Sequence, residues 1–274
     1  MISKSWLEAE LGPKPERLRN IVPIDWDEFS VRVTNEEPAF VRNMVESLYA
    51  GDAWLMRGAF HKEFCRKMVS DTISWTRSRE PSFHKMLDGV PDFHRMIDQE
   101  TGKKYAFPQC KHSAYFFRWN SDPLGIWPEV TRVWRVVKQA MGLSPVEYEN
   151  NIPSTGPVDR IQVVRYPPSI GGLVTHQDPF QDQRCFISGY LSKRGVDYEG
   201  GGFYFIGPDG KVDAESQFDV GDLCIGYATV MHGVDPCDIG KSPNWGGTDG
   251  RWFLGLYTNS PDTGARNVGR EVKL

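Results

Sequence analysis

The sequence predicts an α+β fold, in which a double-stranded β-helix (jelly-roll) barrel carries a helical N-terminal layer packed on one sheet. Up to about residue 150, apolar residues recur mainly at helical spacing, whereas later residues form short apolar runs separated by Gly, Pro and Asp turns. The chain has no internal repeat, low-complexity tract or long linker. Helices followed by many short strands are typical of a jelly roll covered by helices.

The chain is expected to form one domain over residues 1–274, because its length suits a single large domain and no linker divides it. Within that domain, residues 1–150 are expected to be mostly helical and residues 151–260 to form the jelly-roll core. Residues 261–274 are expected to be a C-terminal tail.

Helices in the first half are predicted from apolar spacing and from their flanking Pro and Gly residues. They cover 38–51, 61–79 and 127–143, with a short strand at 52–60 and an irregular region at 80–125. In the second half, short β-branched and aromatic runs predict strands. These are 159–166, 173–178, 184–192, 201–206, 222–228 and 251–259, and the PDG at 208–210 predicts a turn after the fourth.

Composition narrows the class of protein. Hydrophobic residues make up 39% and charged residues 25%, which is ordinary for a globular protein, and no apolar run is long enough to span a membrane. The N-terminus carries charges where a signal peptide needs an apolar run, so a cytoplasmic location is expected. Five cysteines without a CxxC pair disfavour a disulfide framework or a thiolate zinc site. The net charge of −4 gives no reason to expect nucleic acid as a partner.

The segment THQDP suggests a metal site. In a strand, residues i and i+2 point to the same side, so His176 and Asp178 can aim at one point. His232, in MHGVDP, is expected at the end of a neighbouring strand, from which it could reach that point. Two histidines and one carboxylate form a facial triad, which suits Fe(II) and leaves positions open for oxidant and substrate.

Other interpretations of these residues remain open. An isolated HxD is weak evidence, because His and Asp near turns are usually surface or capping groups. Zn(II) or Mn(II) could occupy the same ligands, and zinc would favour hydrolysis. The remaining histidines show no pattern and are interpreted as solvated or structural: His61, His84, His94 and His112.

Six segments of the chain, which include His176, Asp178 and His232, follow one another in the order found in a known family. From about residue 52 to 259 the chain resembles the prolyl-4-hydroxylase-like branch of the Fe(II)/2-oxoglutarate-dependent dioxygenases. The segments are WLMRGAFHKEFCRKMV, VVRYPPSIGGLVTHQDP, RCFISGYLS, YEGGGFYF, FDVGDLCIGYATVMHGVDP and GRWFLGLYTN.

The resemblance implies a non-haem iron hydroxylase that uses Fe(II), 2-oxoglutarate and O2 and releases succinate and CO2. It implies that His176, Asp178 and His232 are the metal ligands and hence the catalytic centre. Halogenases of this superfamily lack the carboxylate, so Asp178 favours hydroxylation, or desaturation or cyclisation by the same oxidant.

A cation is needed for the distal carboxylate of 2-oxoglutarate. Arg251 opens a predicted strand and offers donors suited to a carboxylate. By resemblance, Tyr190 would add a hydroxyl donor there, and Tyr166 would lie near the metal-chelating end. Either tyrosine could instead be an ordinary core residue.

The chain departs from the family's pattern after His232. The basic residue usually follows about ten positions later, whereas Arg251 follows after nineteen and Lys241 after nine. Lys241 is followed by a loop and Arg251 by a strand, which favours Arg251. The residues between, 235–250, look like an insertion near the barrel mouth, where Trp245 could contact substrate or anchor the loop.

The substrate is not readable from the sequence. A small molecule, such as an amino acid or natural-product intermediate, is favoured because the helical half could cap the barrel, and Phe180 and Arg184 are candidate contacts. The oligomeric state is open. The alternative function is a cupin-like, metal-dependent protein that binds a small ligand without redox turnover.

Overall fold

The computed structural model describes residues 1–105 and 107–260, so the predicted tail at 261–274 lies outside the described residues. Six α-helices lie within the described ranges. They are α1 (Ile2–Ala9), α2 (Trp26–Thr34), α3 (Pro38–Tyr49), α4 (Lys62–Arg77), α5 (Gln99–Gly102) and α6 (Trp127–Ala140). A 3-10 turn covers Glu215–Gln217.

Twelve strands lie in the same ranges and form one mixed sheet. They are β1 (Ile21–Asp25), β2 (Ala53–Arg57), β3 (Phe93–Ile97), β4 (Gln109–Phe117), β5 (Val158–Tyr166), β6 (Gly172–His176), β7 (Cys185–Tyr190), β8 (Gly202–Gly207), β9 (Gly210–Asp213), β10 (Leu223–Tyr227), β11 (His232–Asp235) and β12 (Arg251–Asn259).

The strand order is β1-β2-β10-β7-β12-β5-β4-β6-β11-β8-β9, and β3 pairs with β4. Only β1 and β2 pair in parallel; the other described pairs are antiparallel. A sheet of this size with six helices is consistent with the predicted jelly-roll fold.

The predicted helices and the six predicted strands are present, with ends that differ by a few residues. Helix α3 begins at Pro38, whose missing N–H costs nothing at a first helical position. After it, Gly51 has a φ of +97°, and a Cβ there would lie 2.5 Å from the Arg17 carbonyl oxygen. Only glycine therefore suits this position.

The expectation that residues 80–125 are irregular was wrong. All six described helices lie in the first half, together with four strands, of which only β2 was predicted. β3 and β4 lie in this region, and β1 and β2 precede it. β4 pairs with β3, β5 and, at its first two residues, β6. Its sequence QCKHSAYFF shows no alternation because nearly every residue is buried. A strand covered on both faces loses the period of two.

The region around His232 also differs from the expectation. His232 does not end a strand: β10 ends at Tyr227, and His232 is the first residue of β11. The PDG turn prediction is confirmed, because these residues join β8 to β9 as an antiparallel hairpin.

One hydrophobic cluster joins the helices to the strands. It contains Trp6 of α1, Phe29 of α2 and Trp134 of α6 together with Tyr190 and Leu254 of the sheet. No helix in the described ranges is long and apolar enough to cross a membrane. All five cysteines are buried and free.

Candidate metal centre and co-substrate site

His176, Asp178 and His232 lie together. One ligand atom of each lies within 4.8 Å of the others. His176 Nε2 is 3.5 Å from Asp178 Oδ1, and His232 Nε2 is 3.9 Å from Asp178 Oδ2. Metal–ligand bonds of about 2.1 Å put neighbouring ligand atoms about 3 Å apart, so an ion would draw these groups together by on the order of 1 Å.

Strand pairing positions the three side chains. His176 ends β6 and is paired with His232, the first residue of the antiparallel β11. Asp178 follows two residues after His176, and its N–H donates to the carbonyl oxygen of Ala228 at 2.9 Å. This bond fixes the backbone beyond β6, so the carboxylate stays on the side of the two imidazoles.

Hydrogen bonds set the tautomers of both histidines. Nδ1 of His176 lies 3.0 Å from the Val174 carbonyl oxygen, and Nδ1 of His232 lies 2.9 Å from that of Val230. A carbonyl oxygen only accepts, so each Nδ1 carries the proton. Each Nε2 lone pair is therefore on the side of Asp178 and is available to a metal ion. Histidines that bind metals commonly donate their other ring N–H to a carbonyl or carboxylate oxygen in this way.

His232 lies in an apolar environment. Its ring centroid is 4.8 Å from that of Phe186 and 5.5 Å from that of Phe203. Burial, and secondarily His176, lower the pKa of His232 to about 4. The imidazole is therefore neutral near pH 7, which is the form that binds a metal.

The geometry suits a facial triad. Two imidazole nitrogens and one carboxylate on one side of an ion leave the opposite side for other ligands. The ligand set fits Fe(II), and within the described residues it is the one group of this kind that could hold a metal ion.

A second group of polar side chains lies on β7, β12 and β5, which are neighbours in the sheet. The hydroxyls of Tyr166 and Tyr190 and Nη2 of Arg251 are buried and have no hydrogen-bond partner in the described part of the chain. Arg251 Cζ lies 5.9 Å from the Tyr166 ring centroid and 5.4 Å from that of Tyr190. Buried polar groups are normally satisfied, so three orphans side by side fit an absent anionic ligand such as a carboxylate.

Glu215, which the sequence analysis did not identify, holds Arg251. Nε of Arg251 donates to Oε2 of Glu215 at 2.9 Å, and both side chains are 1% exposed. Burial alone would lower the pKa of Arg251, but Glu215 and the tyrosines around it raise that pKa above its ordinary value. Glu215 also accepts from the Tyr198 hydroxyl and the Phe203 N–H. The pair keeps Arg251 charged and leaves its Nη2 without a hydrogen-bond partner among the described residues.

Gly202 makes room for Glu215. Its φ is +103°, and a Cβ there would lie 2.5 Å from Cγ of Glu215. The glycine run in YEGGGFYF therefore has a local steric reason, which links it to the Arg251 site.

Lys241 and the inserted loop lie elsewhere. The Lys241 side chain is 60% exposed and pairs with Asp238 at 2.7 Å. The buried Arg165 donates to the carbonyl oxygens of Asn244 at 2.7 Å, Trp245 at 3.1 Å and Asp249 at 2.6 Å. No described residue of 235–250 lines the cavity at His176 and Asp178. Arg165, on β5, holds this loop through these bonds, and the position of the loop near the barrel mouth stays a prediction.

The proposed substrate contacts are also corrected. Trp245 does not line the cavity, and neither do Phe180 and Arg184. Arg184 pairs with Glu10 at 3.0 Å and donates to the Met141 carbonyl oxygen at 2.9 Å, so it anchors the N-terminal segment. Phe180 packs under the ammonium group of Lys14.

Part of the cavity lining comes from β3 and β4, two strands that the sequence analysis missed. Arg95 of β3, Lys111 and Tyr115 of β4 and Arg160 of β5 line it together with His176 and Asp178. Arg95, Lys111 and Tyr115 lie in the aromatic-rich region that was interpreted as irregular, whereas Arg160 lies on the predicted strand 159–166 but was not identified as a site residue.

Of the other histidines, two form a buried pair outside the site. Nδ1 of His94 lies 2.9 Å from Nε2 of His112, and Nε2 of His94 lies 3.0 Å from the Arg79 carbonyl oxygen. They are structural, as the sequence suggested.

Comparisons with known proteins find similar structures but no similar sequences. No family model matches the sequence, and no curated protein matches it. A prolyl-4-hydroxylase of Pseudomonas putida is similar in structure, with a TM-score of 0.50 and 13% identity, over 84% of this chain and 97% of that one. A prolyl hydroxylase of Trichoplax adhaerens, in complex with a peptide fragment of the hypoxia inducible factor oxygen degradation domain, gives a TM-score of 0.52 and 13% identity. That match covers 85% of this chain and 91% of the other.

The chain has the fold of the prolyl hydroxylases. A third similar structure, a full-length protein of Neurospora crassa in complex with alpha-KG and thymine, has a TM-score of 0.49 and 12% identity, over 92% of this chain and 88% of that one.

Proposed function

We propose that this protein is an Fe(II)- and 2-oxoglutarate-dependent oxygenase that hydroxylates, or otherwise oxidises, an unactivated C–H bond. The observation that carries this proposal is the coexistence of two groups: three ligand atoms within 4.8 Å of one another and three orphaned donors around Arg251. The first group fits a metal ion, and the second fits the carboxylate of an organic anion. The prolyl hydroxylase fold supports the same function.

In this proposal His176, Asp178 and His232 bind Fe(II) and form the catalytic centre. The histidines bind through Nε2, because each Nδ1 proton is committed to a backbone carbonyl. Asp178 supplies the negative charge that a neutral pair of imidazoles lacks. Iron, when bound with 2-oxoglutarate and O2, supplies the oxidising chemistry, with succinate and CO2 as co-products.

Arg251, Tyr190 and Tyr166 bind 2-oxoglutarate. Arg251 and Tyr190 hold the distal carboxylate, and Tyr166 lies nearer the metal-chelating end. Each of these side chains is at most 1% exposed, so water cannot compete for the carboxylate. Because Lys241 is exposed and paired with Asp238, the geometry favours Arg251 for this role.

The alternative is a cupin-like, metal-dependent protein that binds a small ligand without redox turnover. Such a protein needs the three metal ligands but has no need of a buried cation for a second carboxylate. The buried Arg251 with its orphaned Nη2 therefore favours the oxygenase.

The substrate is proposed to be a small molecule, such as an amino acid or natural-product intermediate. The cavity at His176 has a volume of about 190 Å³, smaller than the sites of drug-sized ligands. We also propose that residues 1–260 form a single domain, since helices and strands share one hydrophobic cluster, and that the protein acts in the cytoplasm.

Anaerobic addition of Fe(II) and 2-oxoglutarate tests the function. The oxygenase should develop a weak visible charge-transfer band, and O2 should then yield succinate. His176→Ala and Asp178→Ala should abolish the band, whereas His61→Ala, at an exposed histidine outside the site, should leave it unchanged. Absence of the band in the unaltered chain, with metal bound, would favour the cupin-like alternative.

A further inference from the structure

The cavity beside the candidate metal centre is rich in cations. Among the described residues that line it, three are cationic, Arg95, Lys111 and Arg160, and one is a carboxylate, Asp178. Asp178 is one of the three proposed metal ligands, so its charge would neutralise a metal ion and not the cations of the cavity. The three cations come from three adjacent strands, β3, β4 and β5.

The cations surround one aromatic ring. Cζ of Arg95 lies 5.2 Å from the Tyr115 ring centroid, and Cζ of Arg160 lies 5.1 Å from it. Lys111 lies four residues before Tyr115 on β4 and so faces the same side. The positive field is strong enough to act on Tyr115: although burial raises its pKa, Arg95, Lys111 and Arg160 bring that pKa below its ordinary value.

Lys111 is the least satisfied of the three. It is half-buried, and its ammonium group forms no hydrogen bond or ion pair with any residue that the structure describes. Burial lowers its pKa, Arg160 adds to this effect, and Tyr115 and Asp178 oppose it. Buried cations are normally paired, so an unpaired ammonium group facing a cavity indicates a missing anionic partner.

This group differs from the Arg251 site. Arg251 has its own counter-ion in Glu215 and its own orphaned tyrosines, and it does not line the cavity. Once iron and 2-oxoglutarate occupy their proposed positions, Lys111 still lacks a carboxylate among the described residues. Its charge has to be balanced by what enters the cavity.

We propose that the substrate is a small anion whose carboxylate or phosphate group is bound by Lys111 and Arg160 beside Tyr115. Arg95 adds positive charge at the same wall, and the ring of Tyr115 packs against the body of the substrate. This inference rests on the proposed function only in taking the cavity as the substrate site; the anion site itself requires no iron.

Binding of matched probes to the metal-free full-length chain tests the proposal. Phenylacetate and phenyl phosphate carry the two candidate groups, and phenylacetamide is a neutral control of similar shape. Calorimetry should show at least one anion binding about tenfold or more tighter than the amide, with the preference falling as KCl is raised. The tighter anion identifies which of the two groups the site takes.

Variants locate the anion. Lys111→Met and Arg160→Met should each weaken binding of the preferred anion about fivefold or more, since each removes a charge-assisted contact. Lys111→Arg should restore most of it. Lys241→Met, which removes an exposed lysine outside the cavity, should leave it unchanged. Melting temperatures confirm that each variant is folded.

Three outcomes would overturn the proposal. They are equal affinity for phenylacetamide and both anions, absence of anion binding at about 10 mM probe, and unchanged binding in Lys111→Met. A fourth concerns the co-substrate: with Mn(II) bound, loss of 2-oxoglutarate affinity in Lys111→Met would assign Lys111 to 2-oxoglutarate instead. Failure of the oxygenase proposal itself would appear as a missing charge-transfer band, with the anion preference intact.

Discussion

Arg251 and Glu215 form an ion pair that is buried on both sides, with Nε and Oε2 2.9 Å apart and each side chain 1% exposed. Removing one partner of such a pair leaves the other charge buried without a counter-ion, which strongly destabilises the folded state. The pair therefore ties the stability of the fold to the orientation of the proposed co-substrate residue.

Glu215→Ala should destabilise the protein by about 3–5 kcal/mol, because Arg251 then lacks its counter-ion. Glu215→Gln keeps the shape and a carbonyl acceptor, so it should be less destabilising while allowing Arg251 to reorient. Chemical denaturation measures both. If Glu215→Ala unfolds at the same denaturant concentration as the unaltered chain, the pair is not important for stability.

Arg251→Lys should raise the 2-oxoglutarate requirement about 10- to 100-fold, since a point charge replaces a planar donor group and a charged hydrogen bond contributes about 1.5–3 kcal/mol. Lys241→Met should change it less than about twofold, because a surface ion pair contributes little. Succinate release as a function of 2-oxoglutarate concentration measures both. A larger effect from Lys241→Met would reverse the assignment.

Stability should fall with acid as His112 becomes protonated. Burial, followed by His94 and Arg165, lowers the pKa of His112 from 6.5 to about 3. Between these two values the unfolded chain binds more protons than the folded chain. The free energy of unfolding is therefore highest above pH 6.5 with respect to His112, and it falls progressively as the pH is lowered toward 3. Denaturation at several pH values should show a shallower slope in His112→Gln. An identical slope would show that His112 does not contribute.

Lys138 and Asp159 should be coupled energetically. They form an ion pair between α6 and β5 with both side chains 1% exposed, and Asp159 also accepts from Thr258 at 3.2 Å. Lys138→Met should cost about 3–5 kcal/mol, and Lys138→Met combined with Asp159→Leu should cost less than the sum of the single changes. Strict additivity in the double variant would rule out the coupling.

The residues that could be predicted from the sequence share a local signal. His176 and Asp178 are two positions apart on a strand, so their common side follows from strand geometry alone. Arg251 opens an uninterrupted apolar strand, and this was enough to prefer it to Lys241. Here the covalent spacing and the period of the backbone already limit where each side chain can point.

The residues that were missed share the opposite property. Glu215 lies in a polar segment, AESQFD, that is ordinary for a surface turn, yet its side chain is 1% exposed. Lys111 and Tyr115 lie on β4, whose two faces are both covered and whose sequence therefore shows no alternation. No pattern along the chain reveals which distant residue will neutralise a buried charge.

The sequence by itself determined the fold class, most strand positions and the candidate iron ligands, because these depend on periodicity and on spacings of a few residues. Only the tertiary structure decided that Glu215 holds Arg251, that Arg165 holds the 235–250 loop, and that three cations line the cavity at Tyr115. These relationships depend on which strands become neighbours. Strand order is decided by packing of the whole core. The interaction between a pair such as Glu215 and Arg251 becomes strong only when folding has removed water from around both charges.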